Sequence, residues 1–304
     1  MVKLEFGDCG LANEQLGAVG YNVRGAQLDG GELKGSIEAN QLETVVALRV
    51  HVSHRLLFVG EPVPGTVPFA FCADAYFHGD TSTPTDLCGY QKGLKDTHCH
   101  WEGDMSLWLV NPSLFEASLV LCNANNALER FHSTNYTTLC PESNGLMRHM
   151  FERSLSGEVK TQAQIISMLT TLLECGTEPK PWEAEPKNVP MLRQFVQLAH
   201  DTAAEEPLSL AEVSQMMHVG KSTLSEACKS TYGLSVIQLM RQVRLEQCRM
   251  ALTKPGRTTT VRSVMTKYRF TNQNRFAKTY RETFGELPSE TFMRGQGQLK
   301  LKGF

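Results

Sequence analysis

The spacing of apolar residues divides the chain into a first part with short strand-like runs and a second part with helical spacing. Runs rich in β-branched and aromatic residues, separated by Gly, Pro and polar residues, predict strands over 31–39, 42–50, 55–60, 67–72 and 104–110. Asn111 and Pro112 follow the last run, and Asn at an N-cap with Pro at the first helical position predicts a helix to about residue 124. Two more helices are predicted over 144–155 and 160–175.

The helix predicted over 160–175 carries one apolar stripe, formed by Ile165, Ile166, Leu169, Leu172 and Leu173. Such a stripe either packs into a core or forms a seam between two subunits. Gly176 is placed to end this helix. Residues 176–190 then hold four prolines, which argues against a helix or a central strand and indicates a linker. We therefore expect a domain over 1–175, the linker over 176–190, a second domain over 191–294 and a tail over 295–304.

The charge of the chain changes at the same place. The net charge is −2, yet from residue 191 onward 17 Lys and Arg stand against nine Asp and Glu. A basic second domain on a nearly neutral chain suggests a polyanion as its partner. The chain lacks an apolar run long enough to span a membrane, and its first residues do not resemble an export signal. Nine cysteines without a CxxC pair then predict reduced thiols in a cytoplasm.

The segment 207–235 predicts two helices joined by a short turn, which is the helix-turn-helix pattern. Ser209 and Glu212 form a predicted capping box at the start of the first helix. Residues 218–220 form the turn, Gly220 or Ser222 opens the second helix, and Gly233 ends it. The side chains predicted to face inward on the second helix are Leu224, Ala227 and Cys228.

The segment 258–288 predicts a second such pair of helices. Residues 268–270 form its turn, Thr271 caps the second helix, Gly285 ends it and Pro288 prevents its continuation. Helical spacing turns three aromatic residues toward the core, namely Phe276, Tyr280 and Phe284. Between the two pairs, residues 236–252 lack Gly and Pro and predict one helix of about 26 Å. That length would space the second helices of the two pairs by about one duplex turn of ~34 Å.

The polar faces of these second helices carry groups suited to nucleic acid. Asn and Gln can bond adenine, Arg can bond guanine, and Lys suits phosphates. In the first pair the predicted DNA-binding residues are Lys221, Ser222, Thr223, Ser225, Glu226 and Lys229. In the second pair they are Arg269, Thr271, Asn272, Gln273, Asn274, Arg275 and Lys278.

Residues 207–292 resemble the C-terminal DNA-binding domain of AraC/XylS-type bacterial transcription regulators. The resemblance is carried by HVGKSTLSEACKSTYGLSVIQLMRQVRLEQCRMAL and by VRSVMTKYRFTNQNRFAKTYRETFGELPSE, which ends in the F-G-x-x-P-S pattern typical of that family. It implies a seven-helix domain with two recognition helices that read adjacent grooves. Two departures stand out: Ser222 and Glu226 occupy positions where members usually place Arg, and Arg269 occupies a position where members commonly have Gly. If that turn needs a positive φ, Arg269 costs about 1 kcal/mol.

The first part resembles the cupin-like regulatory halves of this family, and most of all the subgroup that includes regulators of ethanolamine catabolism. The expected fold class is therefore α+β, with a β-rich cupin-like domain, trailing helices and an all-α domain with two helix-turn-helix units. The resemblance implies a transcription regulator, an activator of a nearby operon, that binds promoter DNA, RNA polymerase and a small-molecule effector and forms a homodimer. It implies neither a catalytic residue nor a cofactor.

His98, His100 and Glu102 offer an alternative. Alternating residues of a strand point to one side, so two imidazoles and a carboxylate could hold iron or zinc, with His78 as a further ligand. The alternative function is then a metal-dependent cupin-type sensor or enzyme fused to a DNA-binding domain. Patterns of hydrolases, nucleotidases and dinucleotide-binding enzymes, such as GxSxG, the P-loop and GxGxxG, do not occur.

Overall fold

A computed structural model describes residues 2–61, 63–72, 75–77, 87–91, 97–133, 136–138, 144–159, 161–175 and 188–301. Its N-terminal part is an antiparallel sheet with helices. The strands are β1 (Val2–Phe6), β2 (Asn22–Gln27), β3 (Gly35–Leu42), β4 (Val45–Glu61), β5 (Val67–Cys72), β6 (Ala75–Phe77), β7 (Leu87–Gln91), β8 (Thr97–Val110) and β9 (Tyr136–Thr138). The helices of this part are α1 (Cys9–Ala18), α2 (Pro112–Leu121), α3 (Asn125–Ser133), α4 (Asn144–Leu155) and α5 (Gln162–Cys175).

The C-terminal part is helical. Its helices are α6 (Val189–Asp201), α7 (Leu210–Met216), α8 (Lys221–Tyr232), α9 (Val236–Thr253), α10 (Val261–Lys267), α11 (Gln273–Phe284) and α12 (Pro288–Leu301). The predicted linker lies outside the described residues except for 188–190, where Pro190 already belongs to the first turn of α6. The helix α12 begins at Pro288 and continues through residues 295–301 of the predicted tail.

Two long strands, β4 and β8, organise the sheet. The strand order is β1-β3-β4-β8-β5-β7-β9, while β2 also pairs with β4 and β6 with β8. The runs 42–50 and 55–60, predicted as separate strands, belong mostly to the single strand β4. A register shift between Val52 and Leu56 replaces the expected break, because the polar residues there form a bulge and not a turn.

The predicted helices of the N-terminal part are confirmed. The Asn111 side chain accepts a hydrogen bond from Leu114 N at 3.1 Å and caps α2, which ends at Leu121, three residues before the predicted end. The apolar stripe of α5 packs into a core with Trp108 and Phe115, so it is a core element, with the Leu172 side chain outside the described set. The sequence did not predict several elements of this part, namely β1, β2, β6, β7, β9, α1 and α3. Two of them, α1 and β2, contact α9 of the C-terminal part.

One hydrophobic core joins the two parts of the chain. From the sheet it contains Ala26, Leu28, Leu57 and Val59, and from the helical part it contains residues of α6, α8 and α9. A separate core holds the second helical pair together and contains Phe276, Tyr280 and Phe284. The sheet is therefore packed on α6 and α9, and α8 shares this core, whereas α11 belongs to the separate core.

Candidate nucleic-acid interface

The first helical pair, α7 and α8, is built as predicted. Ser209 Oγ accepts a hydrogen bond from Glu212 N at 3.3 Å, and Glu212 Oε2 accepts one from Ser209 N at 2.7 Å, which confirms the capping box. His218 adopts a φ of 54° in the turn. Gly220 is the N-cap of α8, and Gly233 ends that helix with a φ of 73°.

The second pair, α10 and α11, repeats this local geometry. Thr260 and Ser263 form a capping box at the start of α10. Arg269 has a φ of 61°, and like His218 it lies two residues after the end of the preceding helix. The sequence left open whether this turn needs a positive φ, and the structure shows that it has one. Gly285 ends α11 with a φ of 75°. Arg269 therefore holds a backbone conformation that favours glycine.

The N-cap of α11 differs by one residue from the prediction. Asn272, and not Thr271, caps the helix, and its Oδ1 accepts a hydrogen bond from Arg275 N at 2.9 Å. Both residue types can cap a helix, so the sequence did not separate them. The amide oxygen can accept a second hydrogen bond while it caps the helix, and the exposed NH2 group can donate to a base.

The inward faces of α8 and α11 are confirmed. Leu224 and Cys228 are fully buried, and so are Tyr280 and Phe284, while Ala227 and Phe276 are nearly so. The Tyr280 ring lies 5.7 Å from the Phe276 ring and 4.7 Å from the Phe284 ring, and its hydroxyl donates to Thr291 Oγ1 at 3.0 Å. The aromatic residues of this segment thus form core and are not available to stack on bases.

The predicted DNA-binding side chains lie on the outward faces. Exposed residues on or beside α8 are Lys221, Ser222, Thr223, Glu226 and Lys229, while Ser225 is half-buried. Exposed residues on or beside α11 are Arg269, Thr271, Asn272, Gln273, Asn274, Arg275 and Lys278. Lys229 Nζ donates to Gly233 O at 3.0 Å and so helps to cap α8. Arg269 is 3.3 Å from Glu206, a surface ion pair that contributes little stability.

Residues of β4, β8 and the loop between β2 and β3 contact the C-terminal ends of α8 and α11. Arg55 Nη1 donates to Tyr232 O at 3.4 Å, and the His100 ring lies 5.6 Å from the Tyr232 ring. Gly31 N donates to Thr283 O at 3.0 Å. Arg55 and Tyr232 are 177 positions apart in the sequence, so local sequence patterns do not reveal this contact.

The helix α9 carries two buried ionisable residues, Glu246 and Arg249, at the same junction. Glu246 is fully buried, and its Oε1 accepts a hydrogen bond from Gln27 N at 3.3 Å. Burial raises the pKa of Glu246 to about 7, with a smaller contribution from Asp8, although Arg249 opposes the rise. Arg249 Nη2 donates to Gly7 O at 2.7 Å, and its guanidinium lies 4.6 Å from the centroid of the Phe284 ring.

The residues proposed as metal ligands do not form a site among the described residues. His100 is buried, and burial lowers its pKa to about 4, whereas Glu102 is exposed. His78 and the side chain of His98 lie outside the described set. In the part of the chain that the structure describes, three His, Cys, Asp or Glu side chains do not come together in a group that could hold a metal ion.

Comparison with known proteins identifies the helical part. A helix-turn-helix domain family matches residues 213–294. Over 105 residues the chain is 31% identical to the XylDLEGF operon transcriptional activator 2 of Pseudomonas putida, covering 34% of this chain and 65% of that protein. Over 126 residues it is 29% identical to activator 3 of the same operon and organism, covering 41% of this chain and 38% of that protein. The chain therefore spans less than two thirds of the length of either relative.

A solved structure is also similar. The probable AraC family transcriptional regulator from Rhodopseudomonas palustris is 26% identical, with 34% of this chain and 94% of that chain covered and a TM-score of 0.32. None of the described helices of the present chain is long and apolar enough to cross a membrane. The matched family and the curated relatives show that the C-terminal part of this chain is a helix-turn-helix domain of the AraC/XylS type.

Proposed function

We propose that this chain is a sequence-specific DNA-binding transcription regulator, and an activator of a nearby operon. The observation that carries the proposal is the pair of helical hairpins with the same turn geometry, each with a polar outward face on its second helix. The intervening helix α9 has 18 residues, so it is about 27 Å long. The two second helices would then enter successive major grooves on one side of a duplex.

The two reading helices, α8 and α11, differ in the exposed side chains that can contact bases. On α11 the exposed Gln273 and Arg275 suit adenine and guanine edges. On α8 the corresponding surface presents Ser222 and Glu226, and Glu accepts from cytosine but repels phosphate. We therefore propose that α11 supplies more of the base discrimination than α8.

Duplex binding by the full chain tests the proposal. A groove-binding protein should lose orders of magnitude in affinity between about 50 and 200 mM salt, because the neutralised phosphates release counterions. Arg275→Ala should cost about 1–3 kcal/mol and relax the preference at one or two base pairs, whereas Lys278→Ala should weaken binding evenly across sequences. Arg257→Ala is the matched control, because this exposed arginine lies outside both reading helices. If the chain selects no duplex from a random pool at low salt, the proposal fails.

The sheet and the helices attached to it are proposed as the effector-binding domain, over 1–175. Contacts at Tyr232 and Thr283 let this domain act on the ends of both reading helices. An effector controls DNA binding only if it binds one arrangement of the domains better than the other.

A cavity of about 590 Å³ lies where the two parts meet, between α1 and α9. Leu11 and Glu14 line it from one side, and Met250 and Phe284 from the other. A small molecule here would contact both parts. Leu11→Trp should fill the cavity and abolish the rise in melting temperature caused by any effector found in a metabolite screen, and an unchanged response would place the effector elsewhere.

We also propose that the chain forms a homodimer and contacts RNA polymerase. It would act in the cytoplasm, where the promoter lies. The helix α2 exposes Leu114, Val120 and Leu121, and Leu121 is 83% exposed. An apolar surface of this kind fits a contact with a second subunit. Sedimentation of the wild type and of Leu121→Glu tests the dimer, and a wild-type monomer at micromolar concentration would contradict it.

A further inference from the structure

We propose that the groove between α9 and α11 binds one backbone phosphate of the duplex, with Arg241 and Arg269 as its donors. This inference rests on the proposed function. It adds Arg241, a residue of the connecting helix α9, to the DNA contacts. It also predicts contact with the DNA backbone that passes between the two major grooves.

The groove has a volume of about 290 Å³ and combines an apolar floor with cations. Leu208, Ile237 and Phe276 contribute apolar surface. Four arginines line it, namely Arg241, Arg244, Arg269 and Arg275, and none of the described lining residues is Asp or Glu. A concave surface rich in guanidinium groups attracts an anion.

The four arginines have different roles. Arg244 is buried, and its Nε donates to Ala203 O at 3.0 Å, so it fixes the connection before α7 and does not reach outward. Arg241 and Arg275 are exposed, and neither guanidinium has an ion-pair partner within the described part of the chain. The Arg241 guanidinium is therefore available to an external anion, and Arg275 remains free for the base contact proposed above.

Arg269 shows where such an anion would be placed. Its Nη1 lies 3.3 Å from Glu206 Oε1, and the Glu206 side chain is 77% exposed. A carboxylate held this loosely is easily exchanged for a phosphate, which accepts two parallel hydrogen bonds from one guanidinium. The φ of 61° at Arg269 directs a long cationic side chain to the groove from a turn that would be relaxed with glycine.

The position of the groove favours a phosphate of the duplex. It is bordered by the start of α9 and the N-terminal end of α11, beside Asn272 and Thr279. If α8 and α11 occupy successive major grooves, the backbone between them must pass this surface. A free phosphorylated compound would offer the same chemistry, so the experiment must separate the two sources.

The test uses the full chain and a duplex that it selects from a random pool. Each phosphate of the selected site is replaced in turn by an uncharged methylphosphonate. We expect one position between the two grooves where this replacement lowers wild-type affinity about tenfold, as for the loss of a hydrogen bond to a charged group. For Arg241→Gln, the methylphosphonate at that position should cause no further loss of affinity. The slope of log affinity against log salt concentration should also be smaller by about one than for the wild type.

Arg257→Gln removes the same charge from an exposed site outside the groove and serves as the control, which should keep the sensitive position. If Arg241→Gln keeps both the wild-type salt slope and the sensitive phosphate, the groove proposal is wrong while DNA binding stands. If no duplex is selected, both proposals fail. Saturable binding of inorganic phosphate that Arg241→Gln abolishes without any change in duplex affinity would assign the groove to a free phosphate and overturn the duplex contact.

Discussion

Replacing Glu246 by Gln is expected to stabilise the protein at neutral and alkaline pH. The carboxyl group is fully buried where β2 and α1 pack on α9, and burial raises its pKa from the ordinary 4.5 to about 7. The groups that face it are Gln27 from β2, Asp8 and Cys9 at the start of α1, and Arg249 on α9. Gln keeps the shape and the acceptor for Gln27 N, and it removes the charge.

The sign follows from proton linkage. In the folded state Glu246 holds its proton up to about pH 7, whereas the unfolded chain releases it near pH 4.5. Ionisation therefore favours the unfolded chain, and the stability supplied by the protonated carboxyl is lost as the pH rises from about 4.5 to about 7. One pKa unit corresponds to about 1.4 kcal/mol, so the full loss is about 3 kcal/mol. Glu246→Gln should recover about this amount at pH 8 and less than about 1 kcal/mol at pH 5.

Urea unfolding followed by circular dichroism at both pH values measures the difference. Glu286→Gln serves as a control, because it should change the free energy of unfolding in the opposite direction. Burial opposes ionisation of Glu286, but hydrogen bonds from Arg294 and Thr291 outweigh it and lower its pKa, so this variant should lose stability at pH 8. If Glu246→Gln is less stable than the wild type at pH 8, Arg249 stabilises the ionised carboxylate and the reasoning is wrong. An equal gain at both pH values would show that ionisation is not the cause.

Three further substitutions probe the second hairpin and the junction. Phe276→Ala should cost about 3–5 kcal/mol in urea unfolding, because the ring is buried against Phe270 and Tyr280; a loss below about 1 kcal/mol would contradict this packing. Arg269→Gly should raise the unfolding free energy by about 1 kcal/mol by relieving the positive φ, while duplex affinity falls; unchanged affinity would remove Arg269 from the interface. Gly30→Ala would place a Cβ 2.6 Å from Glu282 O, so amide hydrogen exchange near the end of α11 should become faster. Gly17→Ala, where nothing lies within 4 Å of the added Cβ, should leave that exchange unchanged.

Local patterns in the sequence were sufficient to predict the two hairpins. The capping box at Ser209, the inward spacing of Phe276, Tyr280 and Phe284, and the terminal Gly233 and Gly285 all act within a few residues, so a helix and its buried face can be inferred without the rest of the chain. The sequence left open whether the turn at Arg269 needs a positive φ, and the structure gives it a φ of 61°. The N-cap of α11 was misplaced by one residue, because Thr271 and Asn272 are both able to cap.

Tertiary structure alone decided how the hairpins are joined to the sheet. Glu246 and Arg249 have the sequence signature of solvated charges on a helix. In the structure β2 and α1 pack on α9 and bury both side chains. The hydrogen bond from Gln27 to Glu246 joins residues 219 positions apart, and no periodicity in either segment encodes that pairing. Sequence periodicity specifies which face of a helix is apolar, but only packing of distant segments determines which polar groups lose water and change their pKa values.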